Sequence, residues 1–182
     1  ATGEKEAARA RVKALPPPPR LWPLRDRWGD RTVGILCILR EGGETRPFTE
    51  FGSALAKDCQ DVDQPHIDLT RLADPALAEA IASQQAAPLA AAGASGRADL
   101  LLAVLYDVDA ERRQQLKQNT DATVFDVAVS VLLLRVADKS IVYSDQFKEM
   151  AGRQMPAQMA QRATGILVGK YLVKKCPAIT AE

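Results

Sequence analysis

The sequence predicts an α/β domain: a mixed β-sheet with helices packed on it in two or three layers, in the order strand-helix-helix-strand-strand-strand-helix. Three observations carry this. Thr32 to Leu39 is a near-continuous apolar run rich in β-branched residues, the pattern of a strand buried on both faces. Later, Phe125, Val127, Val129, Val131 and Leu133 alternate with Asp126, Ala128, Ser130 and Leu132, the period of a strand. Between and after these runs, apolar residues recur at three- and four-residue spacing, the period of an amphipathic helix.

An irregular arm, residues 1–30, precedes the regular pattern. Ala1 to Lys13 is charged and alanine-rich, and Pro16-Pro17-Pro18-Pro19 blocks helix and sheet alike, because proline lacks an amide donor and fixes φ. Four prolines in a row favour polyproline II, a stiff spacer. Both tryptophans of the chain follow, Trp22 and Trp28, among Arg20, Arg25 and Arg27. Two accounts are open. The arm folds back and Trp22 or Trp28 caps its own core; or these five residues dock on a neighbouring subunit or partner, where tryptophan and arginine are favoured anchors. The chain begins at Ala1, which reads as a processed or trimmed product.

A single α/β domain is expected over 31–176, with a tail at 177–182. Its first strand is Thr32 to Leu39. Glu41-Gly42-Gly43-Glu44 reads as a loop. Pro47 suits a first helical turn, and Phe48, Phe51, Leu55 and Cys59 give Pro47 to Cys59 one apolar face. The second helix starts at Asp74, a cap, with Pro75 at the first helical position and Leu77 and Ile81 one turn apart. It fades into the small-residue stretch Ala86 to Gly96, whose Gly93-Ala94-Ser95-Gly96 end reads as loop.

Asp99 to Val108 is the next strand, with Leu100, Leu102, Val104 and Tyr106 on one face. Glu111 to Asp121 is polar throughout and reads as an exposed connection. The alternating strand of Phe125 to Leu133 follows, and its valine face is expected to meet the helices. Ala137-Asp138-Lys139-Ser140 is a short polar break before Ile141, Tyr143 and Phe147, so the two strands form a hairpin. Pro156 opens the last helix, Met159, Ala163, Ile166, Leu167 and Tyr171 form its stripe, and Pro177 ends it.

Composition excludes several functions. Lys+Arg 24 against Asp+Glu 23 leaves no basic excess, the usual footprint of a nucleic-acid binder. The longest strongly apolar stretch, Val127 to Leu134, has strand length rather than the roughly 20 residues of a membrane helix. One histidine, His66, rules out a multi-histidine metal site. No Gly-x-Ser-x-Gly elbow, no Walker loop and no Gly-x-Gly-x-x-Gly occurs. Asp61, Asp63 and Asp68 match no calcium loop and read as a solvated acidic turn. His66 beside Asp63 and Asp68 has no nucleophile placed near it and reads as a loop or core histidine. No catalytic residue, cofactor or metal is therefore expected. Cys37 reads as a small buried hydrophobe. Cys59 and Cys176 each end a helix and are the pair available for a disulfide in an oxidising compartment; two reduced thiols is the alternative. Gly165 and Gly169 are a small-x-x-x-small pair, read as close packing against the sheet, with a helix interface as the other reading.

The pattern resembles the TolB amino-terminal-like domain, a family shared with curli-secretion-channel-type proteins and bacterial envelope lipoproteins. The resemblance rests on Thr32-Val33-Gly34-Ile35-Leu36, on Ile67 to Glu79, on Ala98-Asp99 before Leu100 to Val104, on the hairpin Val127 to Phe147 and on the closing helix. It covers Arg31 to Lys175. It implies a non-catalytic module of the periplasm or the periplasmic face of the outer membrane, homo-oligomeric, part of a ring, secretion, polysaccharide-export or motility assembly. Protein partners are expected, with peripheral outer-membrane association and no nucleic acid. The alternatives are a cytoplasmic binding or regulatory domain, and a lipopolysaccharide-transport-type lipoprotein.

Overall fold

The computed structural model describes residues 28–60, 65–115, 123–151 and 156–179. The elements are β1 (Val33–Glu41), β2 (Glu44–Pro47), α1 (Thr49–Gln60), β3 (His66–Asp68), a 3-10 turn (Thr70–Leu72), α2 (Pro75–Ala82), α3 (Ala86–Ser95), β4 (Leu100–Gln115), β5 (Thr123–Arg135), β6 (Ser140–Ala151) and α4 (Pro156–Ile166). A π-helical stretch (Leu167–Leu172) and a last turn, α5 (Val173–Lys175), prolong α4. The fold class is the expected one, a mixed sheet with helices packed on it.

The strand order is β2-β1-β4-β5-β6, with β3 also paired to β1. β1 and β4 run parallel, Val33 opposite Leu100 through Glu41 opposite Val108, as a helical crossover between them requires. β4, β5 and β6 form the antiparallel meander.

Two cores lie on opposite faces of this sheet. On one, Val33, Ile35, Cys37 and Leu39 join Leu100, Leu102, Val104 and Tyr106, and then Val127, Val129, Val131 and Leu133. Phe48, Phe51 and Leu55 cover them from the α1 side, and Ala160, Ala163, Leu167 and Leu172 from the last helix. The valine face of β5 therefore meets helices as expected; the Phe125 side chain lies outside those described. On the other face Leu36, Ile38, Leu101, Ala103, Leu105, Leu132 and Leu134 pack under Leu77, Ile81 and Leu89 of α2 and α3. The central strands are thus buried on both sides and the architecture there is three-layered.

The local chemistry explains several elements. Asp74 caps α2, its Oδ1 accepting from the Leu77 amide at 2.7 Å, with Pro75 at the first position. Asp99 Oδ2 accepts from the Thr32 amide at 2.8 Å and ties the start of β1 to the start of β4. In the π-helical stretch the five-residue turn brings Leu167 and Leu172 onto one face, and both are fully buried.

Four expectations are corrected. The Glu41 to Glu44 loop is a tight hairpin: Gly42 and Gly43 take φ of 60° and 83°, a left-handed pair that turns β1 into β2. Pro47 consequently ends β2 instead of opening the helix, which starts at Thr49. The small-residue stretch is helical through Ser95, because alanine is the strongest helix former and Gly96 caps the end. Residues 111–115 of the expected polar connection continue β4, since pairing with β5 resumes at Gln114–Val124 beyond a register shift. Short β3, paired to β1, carried too few residues to show a strand period.

Candidate interaction surface at the sixth strand

β6 is the end strand of the sheet, twelve residues long, and among the described residues nothing pairs with its outer side. The opposite end is different. There β2 and β3 occupy the outer side of β1, and the gap between them is filled: the Leu69 amide donates to the Ile35 carbonyl at 2.7 Å and the Phe48 amide to the Cys37 carbonyl at 3.0 Å. Ile141, at the start of β6, is the one exposed large hydrophobic among the described residues, 38% accessible.

The helix-bearing face of β6 carries Tyr143, Asp145, Phe147 and Glu149, opposite Leu133, Val131, Val129 and Val127. Asp145, Phe147 and Glu149 are tied to the last helix, and Tyr143 is tied to Asp145. Lys175 Nζ donates to Asp145 Oδ2 at 3.0 Å and lies 4.7 Å from the centre of the Tyr171 ring. Tyr171 stacks on Phe147 with ring centres 4.4 Å apart. Tyr143 donates its hydroxyl proton to the same Asp145 oxygen at 3.1 Å. Burial and this hydrogen bond push the Tyr143 phenol well above its usual range. Burial works against the Asp145 charge, but Lys175, the Gln146 amide and Tyr143 outweigh it and hold the carboxyl below its usual range. Glu149 is the reverse: its side chain is 8% exposed, burial raises its pKa, and Arg162 of α4, 3.1 Å away, offsets only part of this. Tyr106 of β4 is buried nearby, and burial followed by the Glu149 charge pushes its phenol up.

The other face of β6 is polar over Ser144, Gln146 and Lys148, with Ile141 before them. Gln146 and Lys148 are exposed, and Gln146 Nε2 donates to Ser130 Oγ of β5 at 3.2 Å. On this face the residues of β5 change from leucine, packed under α2 and α3, to Ser130, Ala128 and Asp126.

Chemically, this arrangement offers backbone donors and acceptors along an extended edge, apart from the Gln146 amide, which donates to Asp145 Oδ1 at 2.8 Å. Its two carboxylates, Asp145 and Glu149, are engaged in holding the last helix down. Among the described residues no group of three or more His, Cys, Asp or Glu is placed to hold a metal ion, and no helix is long and apolar enough to cross a membrane.

The residues singled out from sequence fall in scattered places. Arg20, Trp22, Arg25, Arg27, Asp61 and Asp63 lie outside the described residues. Trp28 is fully buried in the α1-side core. That replaces the expected interface role for Trp28, because an indole with no accessible surface has none to offer a partner. His66 is half-buried in β3, and Asp68 accepts from the Thr70 amide at 2.9 Å as a local turn group. Cys37 is in the core, as its flanking sequence predicts. Cys176 is buried in the same core; the Cys59 side chain lies outside those described, so the pairing of the two is not placed. A Cβ on Gly165 would meet nothing within 4 Å, which corrects the close-packing reading for that glycine.

Sequence reasoning passed over β6 as a surface and Glu149 as a buried acid. The signal was present in the spacing Tyr143, Asp145, Phe147, Glu149, which puts two carboxylates on an aromatic face.

No protein-family model and no curated protein matches the chain. Several solved structures are similar at low identity. The PelC dodecamer from Paraburkholderia phytofirmans is 16% identical with a TM-score of 0.41, over 80% of this chain and 86% of that one. Lipoprotein GNA1162 from Neisseria meningitidis is 12% identical with a TM-score of 0.42, over 77% and 96%. Protein XCC0632 from Xanthomonas campestris is 15% identical with a TM-score of 0.44, over 86% and 89%.

Proposed function

We propose that this chain is a non-catalytic assembly component of a bacterial cell envelope, working through protein–protein contacts as a homo-oligomer. One observation carries the reading: a twelve-residue end strand, β6, with no described partner on its outer side and an exposed isoleucine at its start. Such an edge is a template for another chain, and proteins that do not use one shorten it or interrupt it with proline. The other end of this sheet is built that way, with a four-residue β2 ending in Pro47.

The envelope setting is supported by the TolB-like resemblance of the sequence. The elements quoted for it, opening strand, crossover helices, Ala98-Asp99 step, hairpin and closing helix, occur in that order in the fold. A ring, secretion, polysaccharide-export or motility machine is the proposed context, in the periplasm or on the periplasmic face of the outer membrane. In that oxidising setting Cys59 and Cys176 are the proposed disulfide pair, read by intact mass before and after reduction.

Light scattering on the purified full chain tests the reading. The expected result is a mass that is a multiple of 19.7 kDa. A chain that stays monomeric at every concentration overturns it.

A further inference from the structure

Resting on that assembly reading, we propose that β6 is a two-fold pairing strand, joining antiparallel to β6 of a second copy about Gln146 so that two sheets continue as one.

The geometry narrows the occupant. An exposed strand edge is satisfied by another extended backbone. Extension of one copy by the opposite edge of the next would build an open array, but that edge presents only short strands. β2 and β3 line β1, the Leu69 and Phe48 amides fill the gap, and the outer strands are only four and three residues long. A second copy therefore has one matching edge to offer, β6 itself, and pairing a strand with itself closes at two.

Charge selects the register. A two-fold axis normal to the sheet keeps the helix-bearing faces on the same side, so facing residues must share a face. Centring on Asp145 sets that carboxylate against itself. Centring on Phe147 sets Asp145 against Glu149 of the partner subunit, and centring on Lys148 sets two ammonium groups together. Centring on Ser144 leaves Glu149 to Ala151 unpaired. Centring on Gln146 uses nearly the whole strand: Gln146 meets its copy, its amide exchanging the Asp145 Oδ1 it now donates to at 2.8 Å for a backbone carbonyl across the axis, Ser144 meets Lys148 of the partner subunit, and Tyr143 meets Glu149 of the partner subunit. Like charges directly opposite destabilise a sheet pair, and this register has none.

The test is a cysteine scan in the full chain. Facing Cβ atoms stand about 4.5–5.5 Å apart, close to the range a disulfide closes. Gln146→Cys is expected to give a reducible dimer under mild oxidation. Lys148→Cys, whose two copies would stand four residues apart along the pairing, roughly 13 Å, is expected to give none. Wild type oxidised in parallel accounts for the native cysteines. Gln146→Lys should leave a chain with wild-type far-UV circular dichroism while halving the mass of a wild-type dimer by light scattering; the loss of the dimer and of the Gln146–Ser130 hydrogen bond lowers its melting temperature as well. If wild type is multimeric but Gln146→Cys does not crosslink, or Lys148→Cys crosslinks as well, a different occupant holds the edge and this pairing is wrong, with the assembly reading intact. A wild type that is monomeric throughout overturns both.

Discussion

Glu149 meets Arg162 with one carboxylate oxygen only: Oε1 lies 3.1 Å from Arg162 Nε, while Oε2 is buried with no hydrogen-bond partner. The pair joins β6 to α4, but unevenly. Arg162 is 57% exposed and well hydrated, whereas the carboxylate has lost most of its water. An acid in that position stabilises the fold best when it is neutral.

This gives a pH dependence. Burial holds the folded-state pKa of Glu149 above the ordinary 4.5, so the folded chain binds more protons than the unfolded chain in that interval. Stability contributed by Glu149 is present below 4.5 and is lost as pH rises through the raised value. Glu149→Gln should therefore flatten the stability curve on the alkaline side of 4.5. Denaturant melts of both proteins across that interval check it; parallel curves would show that the buried oxygen carries no penalty.

Val129 tests the β5 core. It is fully buried, opposite Tyr106 of β4 and Phe147 of β6, in the core that the helices cover. Val129→Asp places a charge there with no partner, at a cost of more than about 3 kcal/mol. At this chain length that lowers Tm by roughly 10 °C. A variant melting with wild type would mean that this face is solvated.

The legible parts of the fold were those with long, regular periods. β1 and β5 show in the sequence because burial writes apolar residues at every position or every second one. α2 shows because Asp74 and Pro75 are local start signals. What stayed hidden depends on distant partners. β3 has three residues and exists because Val33 to Ile35 accept them in parallel. The extension of β4 to Gln115 is polar, and pairing with β5 rather than burial makes it a strand. The candidate surface was hidden for the same reason: nothing local in Ser140 to Ala151 says that it ends the sheet. Trp28 shows the limit of composition. A proline-rich, tryptophan-bearing arm suits an interface, but which tryptophan enters the core is a tertiary matter.

Leu69 tests a contact that only the structure reveals. Its side chain fills a cradle made by two glycines: an added Cβ on Gly34 would stand 2.8 Å from Leu69 Cδ1, and one on Gly96 would stand 2.6 Å from Leu69 Cδ2. Gly34→Ala also meets Ala98 Cβ at 3.0 Å, and overpacking of this kind costs about 1–3 kcal/mol. Leu69→Ala alone removes a fully buried side chain and should cost about 2–5 kcal/mol. Because the first change crowds what the second deletes, the double variant should be destabilised by less than the sum. Additive effects in equilibrium unfolding would mean that the two residues do not touch.

Trp28 separates the arm from the domain. Its indole is fully buried, its carbonyl accepts from Arg31 Nη1 at 2.9 Å, and its Nε1 is buried with no hydrogen-bond partner. The side chain therefore contributes apolar area rather than a polar contact. Trp28→Ala should cost about 3–5 kcal/mol, as for other buried aromatic truncations. Trp28→Phe, which loses no hydrogen bond and leaves a smaller gap, should cost much less. A truncation that tests the arm must accordingly stop at residue 27. Arg20, Trp22, Arg25 and Arg27 remain proposed contacts to a subunit or partner, since prolines reduce the entropy lost on ordering and tryptophan brings area with few rotatable bonds. Removing residues 1–27 should leave Tm close to wild type while changing the native mass or the capture of a defined partner. Removing 1–28 should lower Tm by the Trp28→Ala amount as well. Should the 1–27 truncation melt as low as the 1–28 truncation, the arm is part of its own subunit's core; should it keep both Tm and full assembly, the arm makes no contact that matters.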